Sequence, residues 1–422
     1  MRPVTPRGFR DVLFQEAAER EALATSLRGT FEAWGYRMVE TPAVEEAAVL
    51  EAGMGPLDRT AFRLVDLDGR LLALRPEMTV PIARLAVSRM RSEVPPLRIA
   101  YTAEVFREEA SLRGQARQFT QAGVELVGAW GAPADAEVIA LLVDALAASG
   151  LTDYAVAVGT VAVLLDLLRV AAGPQEWSAA VMAACHDRDL VELDRLVEEA
   201  ELPPALGNAI AGVPRLRGGR DTIERARDLV GPCGCADALD SLEATWSLLE
   251  AADAAAHVTL DFGVLRDFGY YTGIVLEAYG PGLGVPLGGG GRYDGLLAAF
   301  DHPAPAAGFA LGLDRLHIAL AEQGVAPKAR GIDAVLAGDH PAAFVAARDL
   351  RAAGWRVWIS AAREGRQAVA EATELDAPET LLAEADGTIV RLDREGEPAL
   401  PLQRPLPEPP TRTWAAPKGG ER

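Results

Sequence analysis

Two neighbouring runs decide how this chain folds: Val105-Phe106-Arg107-Glu108-Glu109, and Gly114-Gln115-Ala116-Arg117-Gln118-Phe119-Thr120-Gln121-Ala122-Gly123-Val124-Glu125. They sit inside two segments of alternating apolar residues that together span Leu97 to Gly128, separated by a charged loop from Arg107 to Arg117. That pattern predicts an antiparallel strand pair with a long, chemically loaded connection. Alternation places Phe119, Gln121, Gly123 and Glu125 on one face of the second strand. Gln and Glu beside Phe and Gly pack poorly but suit the polar floor of a pocket. The competing reading is a solvated edge strand, and these residues alone leave both open.

Working outward, residues 11–34 carry apolar positions at helical spacing, Gly35–Glu40 switches to alternation, and residues 60–76 form a hairpin about Leu67-Asp68-Gly69. A helix runs from Val80 to about Met90, ahead of Pro95-Pro96, and another covers Ala134–Ser149. Residues 160–255 are nearly all helical in pattern, an insertion of roughly 100 residues into a mixed core. Strand character returns at Val258–Phe262 and Tyr270–Tyr279, Gly288-Gly289-Gly290-Gly291 reads as a turn, and 306–323 reads as strand into helix. The expected class is α+β: an antiparallel sheet flanked by helices over residues 1–325, with the insertion at about 160–255. Beyond the Ala326-Pro327-Lys328 linker, Asp333–Ala337, a helix near 341–353 and Trp355–Ile359 predict a small α/β unit over 331–395. Seven of the 28 prolines fall in residues 398–422, so 396–422 is expected to be an extended or disordered tail.

Composition narrows the function. Of the 422 residues, 61 are Asp or Glu and 41 are Lys or Arg, a net charge of −20. A broad basic face for nucleic acid is not the default for such a chain, since each phosphate contact needs a cation. The cations are almost all Arg, with Lys only at 328 and 418, which suits bidentate carboxylate or phosphate recognition. Three cysteines make no disulfide framework, and Cys233-Gly234-Cys235 lacks the spacer of a zinc pair, so buried free thiols are expected and no metal or cofactor. The opening Met1–Arg7 has no apolar core of an export signal, and no run of about 18 apolar residues predicts a membrane helix, so the expected compartment is the cytoplasm.

Four constellations carry chemistry. Leu74-Arg75-Pro76-Glu77-Met78-Thr79 sets a carboxylate and a hydroxyl at a helix start, which suits an ammonium group; a plain helix cap is the bland alternative. The Gln121/Glu125 face is the second. The third pairs Arg266-Asp267-Phe268-Gly269-Tyr270-Tyr271-Thr272-Gly273 with Gly288-Gly289-Gly290-Gly291-Arg292-Tyr293-Asp294-Gly295, where glycines allow close backbone approach. The fourth, Gly308-Phe309-Ala310-Leu311-Gly312-Leu313-Asp314-Arg315-Leu316, delivers an Arg to a helix start, a position suited to phosphate.

In their order, these motifs resemble the class II histidyl-tRNA synthetase catalytic domain over residues 5–325. The resemblance implies a homodimer with a six-stranded antiparallel sheet, flanking helices and a helical insertion. It also implies a histidine pocket: Glu77, Thr79 and Gln121 on the α-amino group, Glu125 and Tyr271 towards the imidazole, Arg266 on the carboxylate, and Tyr270 as a further histidine-binding residue. Arg107 and Arg315 match the arginines that grip ATP phosphates, here read as vestigial.

Departures decide between a working synthetase and a paralogue. The synthetases usually follow Phe-Arg with His-Glu-Arg; here Glu108-Glu109-Ala110 stands instead. Their Gly-Arg-x-Arg becomes Gly114-Gln115-Ala116-Arg117, atypical for either family, and the acid before their paired tyrosines is Gly269. Residues 331–422 hold 15 acids and 11 bases, with no basic stripe for tRNA. The Met78 and Gln121-Ala122-Gly123 positions are similar to the regulatory subunit of ATP phosphoribosyltransferase. That family implies a non-catalytic partner of the short-form catalytic subunit, needed for its feedback inhibition by histidine in histidine biosynthesis. The alternatives are a histidyl-tRNA synthetase and, third, a free-standing histidine sensor or another amino-acid ligase.

Overall fold

A computed structural model describes residues 4–57, 61–108, 116–265, 271–325, 331–360 and 365–402. The chain divides into two units, Met1–Pro327 and Lys328–Arg422. In chain order the strands of the first are β1 (Arg37–Met38), β2 (Val44–Glu46), β3 (Arg63–Val65), β4 (Leu71–Leu74), β5 (Leu97–Phe106) and β6 (Gln118–Val127). They continue with β7 (Ala155–Thr160), β8 (Arg217–Gly218), β9 (Val258–Asp261), β10 (Ile274–Tyr279), β11 (Gly288–Arg292) and β12 (Ala306–Gly312).

Nine of these form one sheet in the order β1-β5-β6-β12-β11-β10-β7-β9-β8, and β2, β4 and β3 form a separate small sheet. From β5 to β7 every neighbour is antiparallel, a six-stranded core as the resemblance implies. The edges depart from it, since β1 runs parallel to β5 and β9 parallel to β7. Strand β6 lies between β5 and β12, which removes the solvated-edge reading of its Gln/Glu face.

Strand alternation sorts the two faces. Ala122, Val124 and Leu126 enter a core with Leu27 and Phe31 of the helix Phe14–Ala33 and with the helix Gly131–Ala148. The opposite face meets the helix Thr79–Arg89 through Ile99, Tyr101, Val105 and Tyr293. The polar residues of β6 share this second side, so the pocket opens where apolar packing gives way.

Three expectations are corrected. The four glycines are not a turn: they are β11, in mid-sheet. A Cβ on Gly290 would lie 1.9 Å from the Gly308 carbonyl oxygen, and one on Gly288 2.1 Å from that of Ala310. The strand is glycine because β12 passes too close for side chains, and a residue without a side chain shows no alternation by which to recognise a strand. The insertion, helical from Val161 to Ala251 in six helices, also contributes β8, which pairs with β9. The stretch Pro398–Pro401, expected to belong to an extended or disordered tail, is a strand. In the second unit, β13 (Ala334–Ala337), β14 (Val357–Ile359), β15 (Glu379–Ala383), β16 (Ile389–Leu392) and β17 (Pro398–Pro401) form a sheet ordered β14-β13-β15-β16-β17. Here β17 is an edge strand, the place where a sheet tolerates proline. Residues 403–422 and the linker at 326–330 lie outside the described residues. The helices of this unit are Pro341–Ala352, between the parallel β13 and β14, and Gly365–Glu374.

Candidate functional site

A cavity on the second face of the sheet gathers Glu77, Thr79, Arg107, Gln121, Glu125, Tyr271 and Arg315, seven of the nine residues singled out from the sequence. The other two, Arg266 and Tyr270, lie outside the described residues. The floor is β6, with Phe119, Gln121 and Glu125 in line; the glycines of β11 and Gly308 of β12 form the wall beside it.

Arg75 fixes the entry of Glu77. Its buried guanidinium donates from Nε to Glu104 O (2.8 Å) and from Nη1 to Thr41 O (2.7 Å) and Pro42 O (3.1 Å), tying the Arg75–Met78 loop to two other segments. Glu77 then caps the helix Thr79–Arg89, accepting the backbone N–H of Thr79 and that of Val80 (2.8 Å). The bland reading of Glu77 as a cap is therefore correct, and so is its placement at the pocket: a carboxylate has about four acceptor positions, and the cap uses two. Glu77 is 3% exposed; burial raises its carboxyl above the ordinary range, while the two N–H groups and the positive Arg107 pull it back.

Glu125 is buried more completely in chemical terms, because no backbone N–H among the described residues meets it. Tyr293 donates its hydroxyl to Oε2, and Thr79 reaches the same carboxyl. Burial pushes Glu125 up to about 8, with Glu77 adding like-charge repulsion and the two hydroxyls offsetting part. A Cβ at Gly308 would stand 2.0 Å from Oε2, so only glycine on β12 leaves this carboxyl its place. Tyr101 lies beneath, its hydroxyl held protonated by burial and by the nearby Glu125 and Glu77. Gln121 Oε1 is buried with no hydrogen-bond partner among the described residues, an unmet acceptor on a side chain that lines the cavity.

The cations are distributed unevenly. Arg107 donates from Nε to Pro76 O (2.9 Å) with its guanidinium 5.3 Å from the Phe119 ring centre. Arg315, exposed at a helix start, donates to Pro286 O (2.6 Å). Beside it Asp314 is held by Arg20 (3.0 Å) and Arg10 (3.2 Å). Arg117, the arginine retained in the loop, is absent from the cavity: it pairs with Glu108 (3.0 Å) and lies 4.6 Å over the Phe62 ring. The substituted stretch Glu109–Gln115 lies outside the described residues.

Sequence reasoning missed Tyr293, Tyr101 and Asp314. Tyr293 was signalled by its place two residues after the glycine run; Tyr101 was not, since a tyrosine in an apolar alternation reads as core. Among the described residues no three His, Cys, Asp or Glu side chains are placed to hold a metal ion. Cys185 and Cys235 are buried and Cys233 half-buried, all free.

Comparison with known proteins follows the same lines. The histidyl-tRNA synthetase family model matches residues 8–316. A protein of Moorella thermoacetica named ATP phosphoribosyltransferase regulatory subunit is 44% identical over 86% of this chain and 94% of its own length. One of the same name from Symbiobacterium thermophilum is 40% identical over 85% of this chain and 92% of its own. A solved structure from Bacillus halodurans, described as an ATP phosphoribosyltransferase regulatory subunit/histidyl-tRNA synthetase, superposes with a TM-score of 0.80 at 32% identity, covering 90% of this chain and 97% of that one. The fold is thus the class II synthetase type. No helix among the described residues is long and apolar enough to cross a membrane.

Proposed function

The chain belongs to the family of ATP phosphoribosyltransferase regulatory subunits, built on the histidyl-tRNA synthetase fold, and from that premise we propose that it binds histidine in the β6 cavity and regulates the short-form catalytic subunit without catalysing a reaction itself. In this reading Glu77, Thr79 and Gln121 receive the α-ammonium group. Glu125 accepts an imidazole N–H, Tyr271 faces the ring, and Arg266 takes the carboxylate. The chain forms a homodimeric core within a hetero-oligomer of histidine biosynthesis, in the cytoplasm. Histidine and the catalytic centre are then linked by a coupling free energy between two sites.

One observation carries the reading: Gln121 Oε1, an acceptor without a partner among the described residues, belongs to the same cavity as the buried carboxyl groups of Glu77 and Glu125. That arrangement suits a ligand rich in N–H donors and disfavours an anionic one. The loop that supplies phosphate-gripping cations in the synthetases supports the loss of catalysis, since its retained arginine is bound to Glu108 and Phe62. Arg107 and Arg315 favour the second reading, a histidyl-tRNA synthetase, because both still line the cavity.

The test is histidine-dependent exchange of pyrophosphate into ATP by the purified chain, alongside calorimetry with histidine. The regulatory reading expects histidine binding and no exchange. Exchange at a rate typical of synthetases overturns it in favour of the ligase, and absence of histidine binding overturns the pocket assignment.

A further inference from the structure

The chain ahead of the helix Phe14–Ala33 is neither helix nor strand, yet residues 4–13 are tied to the body of the first unit at three points. The Gly8 carbonyl accepts the Arg117 N–H (2.8 Å), and the Arg117 carbonyl in turn accepts the Arg107 N–H (2.9 Å). The Phe9 ring lies 5.8 Å from that of Phe62, the ring over which the Arg117 guanidinium sits. Arg10 donates from Nη1 to Glu16 Oε2 (2.8 Å) and from Nη2 to Asp314 Oδ1 (3.2 Å). One side chain thus reaches both the first turn of the helix Phe14–Ala33 and the start of the helix Leu313–Glu322. At Gly8 the fit is close: φ is +81°, and a Cβ would stand 2.4 Å from Arg117 Cγ.

These anchors lead to the lining of the first cavity. Arg107 and Asp314 both border it. Asp314 is also held by Arg20 (3.0 Å), and its Oδ2 accepts the backbone N–H of Thr120 (3.3 Å). Thr120 stands on β6 between Phe119 and Gln121, two residues of the cavity floor, so a shift of Asp314 is transmitted to that floor. The joint between this strap and the helix is strained. Phe14 has φ of +28°, which is unfavourable for a bulky side chain, and it is 89% exposed, with Leu13 beside it 63% exposed. A strained joint in solvent, with few contacts of its own to hold it, suits a hinge. The Arg10 anchor suits a catch, because its guanidinium is half exposed and such an ion pair is weak enough to open.

We propose that residues 4–13 form a latch, hinged at Phe14 and caught by Arg10 on Asp314, whose closure and the occupation of the first cavity favour each other, a role that rests on histidine being the occupant. Arg10 is a positioning residue in this device, acting on the cavity through Asp314. Coupling of this kind is reciprocal: the factor by which histidine tightens the latch equals the factor by which the closed latch tightens histidine.

The test combines calorimetry with histidine and amide hydrogen exchange on the full chain, the reporter being the Arg117 N–H that meets the Gly8 carbonyl. In the unaltered chain histidine should slow this exchange by about two- to fivefold, the worth of one half-exposed ion pair. Arg10→Gln should speed the exchange in the empty chain, weaken histidine by a similar factor and remove the slowing, while Arg10→Lys keeps most of both effects. The melting temperature should change little in either variant, which separates positioning from a general loss of stability. Gly8→Val lifts the strap at its other anchor without touching the partners of Asp314, and should reproduce the loss of affinity. Absence of histidine binding to the unaltered chain overturns the reading of the cavity and the latch with it. Histidine binding that leaves the Arg117 exchange unchanged, or that is as tight in Arg10→Gln and Gly8→Val as in the unaltered chain, overturns the latch alone.

Discussion

Replacing Glu125 by Gln should stabilise the ligand-free protein on the alkaline side of neutrality and leave it almost unchanged in acid. The carboxyl is 2% exposed and is pushed up to about 8, against 4.5 for an ordinary Glu, chiefly by burial. Between those two values the unfolded chain has released a proton that the folded chain keeps. The unfolded state therefore binds fewer protons, and stability falls as pH rises through this window. Each pH unit is worth about 1.4 kcal/mol, so the roughly three units from pH 5 to pH 8 remove on the order of 4 kcal/mol that a Gln does not lose. Complete burial means that solvent screening does not reduce the figure, and it is a large part of a typical domain's 5–15 kcal/mol, roughly. The assay is urea unfolding of both proteins at pH 5, 6, 7 and 8, followed by tryptophan fluorescence, and compared as the difference between them. Gln retains an acceptor for the Tyr293 hydroxyl, so the difference isolates the proton. A difference that grows with pH supports the reasoning; parallel curves for the two proteins refute it.

Other outcomes follow from the same geometry. Glu125→Ala should weaken histidine binding by about 1–3 kcal/mol, measured by calorimetry, because an imidazole N–H loses its acceptor. Gln121→Met should leave the melting temperature of the empty protein unchanged or higher, since Oε1 has no partner to lose among the described residues, while histidine affinity drops about tenfold or more. Gly290→Ala should destabilise the first unit by at least about 3 kcal/mol in thermal unfolding, since the new Cβ meets a backbone carbonyl that cannot rotate away. Arg292→Met should cost about 3–5 kcal/mol, because two carboxylates lose their shared cation, and its melting temperature reports this.

The sequence was most legible where side chains alternate or recur at helical spacing. Phe119, Gln121 and Glu125 were placed on one face by period alone, and the helix Phe14–Ala33 was visible from Leu23, Leu27 and Phe31. It was least legible where the signal is the absence of a side chain. Four glycines resemble a flexible turn, and only the carbonyls of Gly308 and Ala310 pressing on β11 reveal a strand. The prolines of β17 misled for a related reason: composition marks what a central strand rejects, and an edge strand accepts it. Glu77 shows a different limit. Cap and pocket residue were weighed as rivals, yet one buried carboxylate serves as both, which only its two backbone partners and its place on the cavity make plain. Tyr293 escaped because its partner, Glu125, lies 168 positions away, beyond any local pattern.

The most direct measurement is reconstitution with a short-form ATP phosphoribosyltransferase catalytic subunit from the same source, following product formation from PRPP and ATP with and without histidine. Addition of this chain should raise the activity, and histidine should then suppress it, with Glu125→Ala shifting the suppression to higher histidine concentrations. Activity unchanged by the chain, or histidine inhibition identical in its absence, would contradict the regulatory role.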